Sequence, residues 1–113
     1  MEEKITFQEI TVKGFRFSYL DKENQEIARA RLYILKNDLH PEPLGYIEDV
    51  FVNENYRGQG IGTKILNEII NKAKEENCYK IVCTSRFSKP EVHQFYEKLG
   101  FEKFGYEFRL NLK

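Results

Sequence analysis

The sequence predicts an α+β fold, a sheet with two helices packed on it, and three observations carry that prediction. The first half alternates apolar and polar residues with a period of two. The middle then switches abruptly to helical spacing. A second short helical pattern follows, bounded by Pro90 and Gly100.

The elements follow in chain order. Phe15, Phe17 and Tyr19 alternate with Arg16 and Ser18, which reads as a strand; Gly14 marks a bend out of an earlier strand over 5–12. The polar turn 21–25 joins it to a run in which Ala28, Ala30, Leu32 and Ile34 alternate with Arg29, Arg31 and Tyr33. Residues 37–45, with Pro41, Pro43 and Gly45, read as a loop. Residues 46–52 form the next strand, apolar except for Glu48 and Asp49. Ile61, Ile65, Leu66, Ile69, Ile70 and Ala73 then share one helical face, predicting a helix from about 58 or 59 to about 76. Lys72 and Lys74 lie near its C-terminal end, where the helix dipole favours cations. A short buried strand is predicted over 79–84. Pro90 opens a second helix carrying Val92, Phe95, Tyr96 and Leu99, which Gly100 caps. Tyr106, Phe108, Leu110 and Leu112 alternate with polar residues and predict a last strand.

The 113 residues fit one domain, 1–113, with enough apolar and aromatic material for one core. The 18 basic and 18 acidic side chains cancel, so nothing asks for nucleic acid or a membrane surface. No apolar signal core or run of membrane-spanning length is present, and the expected location is the cytoplasm. Cys78 and Cys83 are five apart, too far for a redox pair and too few for a metal site, so they read as small buried or half-buried side chains.

The chemistry concentrates in Arg57-Gly58-Gln59-Gly60-Ile61-Gly62. The first N–H groups of a helix lack internal partners and face outward at the positive end of the dipole. Glycines there let backbone approach a bulky anion closely, and a diphosphate is the natural guest. A P-loop needs Gly-Lys-Ser/Thr, whereas Gly62-Thr63-Lys64 has the wrong order. The dinucleotide fingerprint needs G-x-G-x-x-G after an N-terminal βαβ unit; here the run is G-x-G-x-G after a meander.

Asp49-Val50-Phe51-Val52 followed by Tyr56-Arg57-Gly58-Gln59-Gly60-Ile61-Gly62-Thr63 resembles the GNAT superfamily of N-acetyltransferases, whose coenzyme A signature falls here on Arg57, Gly60 and Gly62. A second block of that family is similar to Phe95-Tyr96-Glu97-Lys98-Leu99-Gly100-Phe101. The resemblance covers roughly 26–110. It implies a mixed, mostly antiparallel sheet with two main helices, and transfer of an acetyl group from acetyl-CoA to a primary amine by direct attack through a tetrahedral intermediate. It implies that backbone N–H groups of Arg57, Gly58, Gln59, Gly60, Ile61, Gly62 and Thr63 hold the pyrophosphate. The Phe51 and Val52 backbone would pair with the pantetheine arm, one N–H stabilising the developing oxyanion.

The resemblance also places Tyr96 beside the coenzyme A sulfur. A phenol, with an ordinary pKa of about 10, can protonate a departing thiolate. The structural alternative is a core tyrosine satisfied by one hydrogen bond. Glu48 interrupts an apolar strand just upstream of the cofactor segment, and an unpaired carboxylate there calls for a polar cleft. Strict alternation groups Glu48 with Tyr46 and Val50, and Asp49 with Ile47 and Phe51; a bulge would let both carboxylates approach the cleft. Residues 46–52 resemble the polyamine and small-amine branch, which implies Glu48 as base and Glu48 with Asp49 as attraction for a cationic amine. The alternative is a solvated or salt-bridged Glu48. His93 shares a helix face with Tyr96 and reads first as a boundary residue.

The chain departs from the family pattern twice. Lys89 stands where many members carry an Asn that contacts the cofactor, and the usual N-terminal helix pair between the first two strands is missing. The acceptor side is then open, completed by a homodimer partner, or suited to a protein surface. The competing reading is a non-catalytic acetyl-CoA-binding sensor or subunit.

Overall fold

In the computed structural model the structure describes residues 2–113. Strands β1 (Lys13–Leu20), β2 (Glu26–Leu35), β3 (Leu44–Val52) and β4 (Ile81–Val82) form one sheet in that order. The first three are antiparallel, and β4 lies parallel to β3 because helix α1 (Ile61–Glu75) intervenes as the crossover. Helix α2 (Pro90–Lys98) follows β4. This is the mixed, mostly antiparallel α+β architecture the sequence implies, with β1 leading directly into β2 and no helix pair between them.

The alternating face of β2 forms the floor of the core. Ala28, Ala30, Leu32 and Ile34 are buried with Ile47 of β3 and Ile61, Ile65, Leu66, Ile69 and Ala73 of α1. Ala28 and Ala30 are small enough for α1 to lie close over the sheet. The β1–β2 turn closes on Asp21, whose carboxylate accepts the Glu23 and Gln25 N–H groups at 2.8 and 3.0 Å. Gly45 belongs to β3 rather than to the preceding loop. It is buried, and a β-carbon there would come within 3.1 Å of Leu32 Cδ1.

Four further expectations change. Helix α1 begins at Ile61, later than 58 or 59, because Gly58 and Gly60 both hold left-handed backbone (φ +78° and +81°) that a helix cannot include. Strand β4 is two residues long instead of spanning 79–84, since β3 and β4 diverge beyond Tyr46 and Val82. No strand forms over 5–12 or over 106–112. Alternation defines an apolar face, but a strand also needs an edge to bond, and neither segment meets one in this chain. Residues 2–12 and 102–113 are exposed throughout, and the described residues together span 63 × 31 × 30 Å.

Candidate functional site

The site starts where the sheet opens. Strands β3 and β4 pair only at Gly45 with Ile81 and Tyr46 with Val82, after which β3 runs on to Val52 paired with β2 alone. The Asn53 N–H donates to the Ile27 carbonyl at 2.8 Å, so Ala28 and Val52 form a non-hydrogen-bonded pair. The Val52 N–H and C=O therefore point away from β2, into the gap, whereas the Phe51 backbone faces β2. Arg57 Nε donates to that Val52 carbonyl at 3.0 Å and closes the 53–57 turn. The Val52 N–H is left as the donor facing the gap.

A bulge shapes the strand just before this point. Arg29 pairs with Phe51 but Arg31 with Glu48, so Ala30 alone opposes Asp49 and Val50. Asp49 takes φ +57° to accommodate the extra residue. The bulge resets the alternation. Phe51 joins Glu48 and Tyr46 on the face of Arg29, Arg31 and Tyr33, and the Arg29 guanidinium lies 4.8 Å from the centre of the Phe51 ring. Asp49 is not free: Arg29 donates to both its oxygens at 3.0 and 3.1 Å, and Arg31 adds a longer bond at 3.4 Å. The Arg29 hydrogen bond holds the Asp49 carboxyl below its ordinary range, against a smaller opposing effect of burial. Glu48 is exposed and has no ion-pair partner among the described residues. Of the two carboxylates, Glu48 is the one available to a ligand.

The turn beyond β3 presents backbone donors. The first bond of α1 runs from the Lys64 N–H to the Gly60 carbonyl at 3.1 Å, leaving the N–H groups of Ile61, Gly62 and Thr63 unpaired within the helix. No atom lies within 4 Å of where a β-carbon would stand at Gly58 or Gly60, so this end is open to a bulky anion. Arg57, Gly58, Gln59, Gly60 and Thr63 are exposed, while the Ile61 side chain anchors the turn in the core. Gly62 packs against Phe95 of α2 and against Val52. Strand β3, helix α1 and the more distant helix α2 thus meet at one residue.

Tyr96 follows Phe95 and is wedged between that ring and Phe101, both edge-on, with centroids 5.3 and 5.5 Å away. Its hydroxyl adjoins the Cys83 thiol at the end of β4. Burial, reinforced by Cys83, pushes the phenol up to about 12. Burial likewise raises the Cys83 thiol to about 11. Both groups stay protonated at neutral pH. Both cysteines are free and half-buried, as their spacing implied. Tyr46 pairs with Val82 where the strands part, so Glu48 lies just beyond the divergence on β3, and Cys83 with Tyr96 just beyond it on β4. His93 sits within 2.8 Å of the Arg86 carbonyl and ties down the loop ahead of α2. Lys89 caps α2 through its backbone carbonyl, which accepts the Val92 and His93 N–H groups.

Sequence reasoning passed over Arg29 and the pairing of Cys83 with Tyr96. The alternating arginines of β2 signalled the first, since they had to face whatever β3 placed opposite them. An open groove of about 720 Å³ also runs between the β1–β2 turn and the start of α1, lined by Tyr19, Leu20, Tyr56, Gln59, Ile61 and Lys64. It shares Gln59 and Ile61 with the turn that opens α1 but includes neither Glu48 nor Tyr96.

The model of the acetyltransferase (GNAT) family matches residues 1–101. A glucosamine 6-phosphate N-acetyltransferase of Dictyostelium discoideum is 35% identical over 92 residues, 80% of this chain and 57% of that protein. The glucosamine 6-phosphate N-acetyltransferase of Trypanosoma brucei brucei is 39% identical over 70 residues, 61% of this chain and 45% of its own length. The N-alpha-acetyltransferase 30 of Schizosaccharomyces pombe is 31% identical over 99 residues, 84% of this chain and 65% of that one. The chain thus spans about half the length of the relatives it matches. Among solved structures, a Trypanosoma brucei acetyltransferase superposes with a TM-score of 0.81 at 28% identity, covering 88% of this chain and 69% of that one. The Arabidopsis thaliana glucosamine-6-phosphate N-acetyltransferase shares the fold, with a TM-score of 0.81 at 22% identity over 88% of this chain and 67% of that one.

Proposed function

We propose, because the chain belongs to the acetyltransferase (GNAT) family, that it moves an acetyl group from acetyl-CoA to a primary amine. The observation that carries this reading is the meeting of Gly62 with Phe95 and Val52. It sets the free amides of α1, the open β3 edge and the Tyr96 helix around one gap.

In this reading the Ile61, Gly62 and Thr63 N–H groups, at the positive end of α1, hold the pyrophosphate of coenzyme A. Arg57, Gly58, Gln59 and Gly60 form the open turn beside it. The pantetheine amides pair with β3 where β4 has turned away. The Val52 N–H is the backbone donor there and is suited to the thioester oxygen as negative charge develops on it. Tyr96, protonated at neutral pH, delivers a proton to the departing thiolate. An amine must be neutral to attack, and an alkylammonium ordinarily titrates near about 10.4. Glu48 is the proposed base, directly or through water. Asp49 shapes the strand through its bond to Arg29 instead of meeting the amine itself.

The relatives act, by their names, on glucosamine 6-phosphate or on an α-nitrogen, so the proposed acceptor is a primary amine of one of these kinds. The test is thiol release from acetyl-CoA against a panel of glucosamine 6-phosphate, N-terminal peptides, polyamines, lysine analogues and aminoglycosides. Turnover with one of these, lost in Glu48→Gln, is the expected result. Acetyl-CoA raising the melting temperature with no turnover on any amine would favour a non-catalytic acetyl-CoA-binding subunit. No shift at all would overturn the cofactor assignment.

A further inference from the structure

One face of the sheet is left open. Helix α1 covers the other, and β1 leads directly into β2 with no helix between them. On the open face the charged side chains of the three long strands fall into pairs. Arg16 meets Glu26 at 2.7 Å, and Arg29 holds both oxygens of Asp49. Arg31 and Glu48 are left over. They stand directly opposite each other in the β2–β3 register. Side chains so placed have β-carbons about 4.5–5.5 Å apart, near enough for opposite charges to bond. These two form no ion pair among the described residues. Arg31 leans instead toward Asp49, which it reaches through Nε at 3.4 Å, and neither of its Nη nitrogens donates to a carboxylate among the described residues. Its side chain is 39% exposed, and Glu48 is exposed as well. The Tyr33–Tyr46 pair borders the two charges on one side and the Arg29–Phe51 pair on the other.

We propose that Arg31 selects the acceptor by binding an anionic group, phosphate or carboxylate, on the same molecule whose amine meets Glu48. The role of Glu48 rests on the transfer reading above. A facing cation and anion that do not bond each other are matched by a ligand carrying both charges. Its ammonium meets Glu48 and gives up its proton there. Its anion meets the Arg31 guanidinium, whose planar fork suits carboxylate and phosphate oxygens. The Arg29–Asp49 pair sharpens the choice. Asp49 is already neutralised, so this patch offers one free carboxylate. A second ammonium, as in a polyamine, would face Arg31 instead of an acid, and like charges brought together select against that ligand. Arg31 touches no reacting atom in this arrangement; it is a specificity residue.

Thiol release from acetyl-CoA with matched amines tests this, each pair differing only in the anion. One pair is glucosamine 6-phosphate against glucosamine. The other is a peptide opening on aspartate against the same peptide opening on asparagine. The wild type should prefer the anionic member of one pair by about 10–100-fold in kcat/KM, the span a hydrogen bond to a charged group supplies. The pair that shows the preference identifies the anion as phosphate or carboxylate. Arg31→Gln should bring that ratio toward one, through KM more than kcat, and Arg31→Lys should restore part of it. A purely structural role would lower both members alike and leave the ratio standing. That result, or a wild type indifferent to the anion in both pairs, would overturn the proposal. Calorimetric titration of the same amines reads Arg31 without turnover. If no amine is acetylated, yet the wild type binds an anionic member more tightly and Arg31→Gln does not, the transfer reading fails and the Arg31 assignment stands. Equal binding of the anionic members by the two proteins defeats the assignment whatever the turnover.

Discussion

Gly62 stands directly against the ring of Phe95: a β-carbon at 62 would lie 3.4 Å from Phe95 Cζ and 3.8 Å from Val52 Cγ2. The start of α1, with its unpaired amides, is thereby set by a contact with the helix that carries Tyr96. A single methyl fits at the limit of van der Waals contact, and alanine is favoured over glycine in a helix by about 0.8–1 kcal/mol. Gly62→Ala should therefore melt at or above the wild-type temperature. Gly62→Val drives a branched side chain into Phe95 and Val52, an overpacking that costs about 1–3 kcal/mol. Its melting temperature should fall and its acetyl-CoA affinity weaken together. Thermal unfolding with and without acetyl-CoA separates the two variants, and a Gly62→Val melt equal to wild type would show that Phe95 yields freely.

Gly60 is a glycine for a different reason. Nothing lies within 4 Å of its missing β-carbon, but its φ is +81°. Gly60→Ala should cost about 1–2 kcal/mol from the left-handed backbone alone. It also places a methyl on the surface that the proposed pyrophosphate approaches. The expected outcome is a modest loss of stability with a larger loss of acetyl-CoA binding, read by calorimetric titration. Equal binding by Gly60→Ala and wild type would move the anion away from this turn.

These two glycines also mark what sequence reading can reach. The buried face of β2 was legible because Ala28, Ala30, Leu32 and Ile34 repeat at a period only a half-buried strand satisfies. The turn at 57–62 was legible from local chemistry, and the helix it opens from its apolar stripe. The bulge at Asp49 was not, because it is a mismatch between two strands: one residue, Ala30, faces two. Its consequences, Phe51 changing face and Asp49 bonding Arg29, are cross-strand facts that a pattern along β3 alone cannot contain. Residues 106–112 failed in the same way. Their alternation specifies a face, and a face does not name the edge it bonds.

The Arg29–Asp49 pair predicts an acid dependence. The Asp49 carboxyl is held below its ordinary range in the folded protein, chiefly by the Arg29 hydrogen bond. A carboxyl that titrates lower folded than unfolded adds stability above its unfolded pKa and loses it as pH falls through the folded one. Denaturant midpoints should therefore drop more steeply in wild type than in Asp49→Asn as the pH is lowered below the ordinary carboxylate range. Both sides of the pair are about one-third exposed, so high salt should shrink the difference. Parallel acid profiles for the two proteins would show that the pair contributes nothing to folding.

Tyr96 offers the sharpest separation of structure from chemistry. Its phenol is pushed up to about 12, first by burial and then by the adjoining Cys83. The folded pKa lies above the ordinary phenol value, so the protonated form is present through the neutral range and any stability it brings fades only as pH rises past about 10. Spectrophotometric titration of the folded protein should show an absorbance change near pH 12 that is absent from Tyr96→Phe. The ring keeps its edge contacts with Phe95 and Phe101 in that variant, so its melting temperature at pH 7 should stay close to wild type. If Tyr96 protonates the leaving thiolate, kcat should fall by about 10²–10⁴-fold, the range general acids contribute, while acetyl-CoA affinity changes little. A Tyr96→Phe enzyme with wild-type kcat would remove the hydroxyl from the reaction and leave Tyr96 as packing between two aromatic rings.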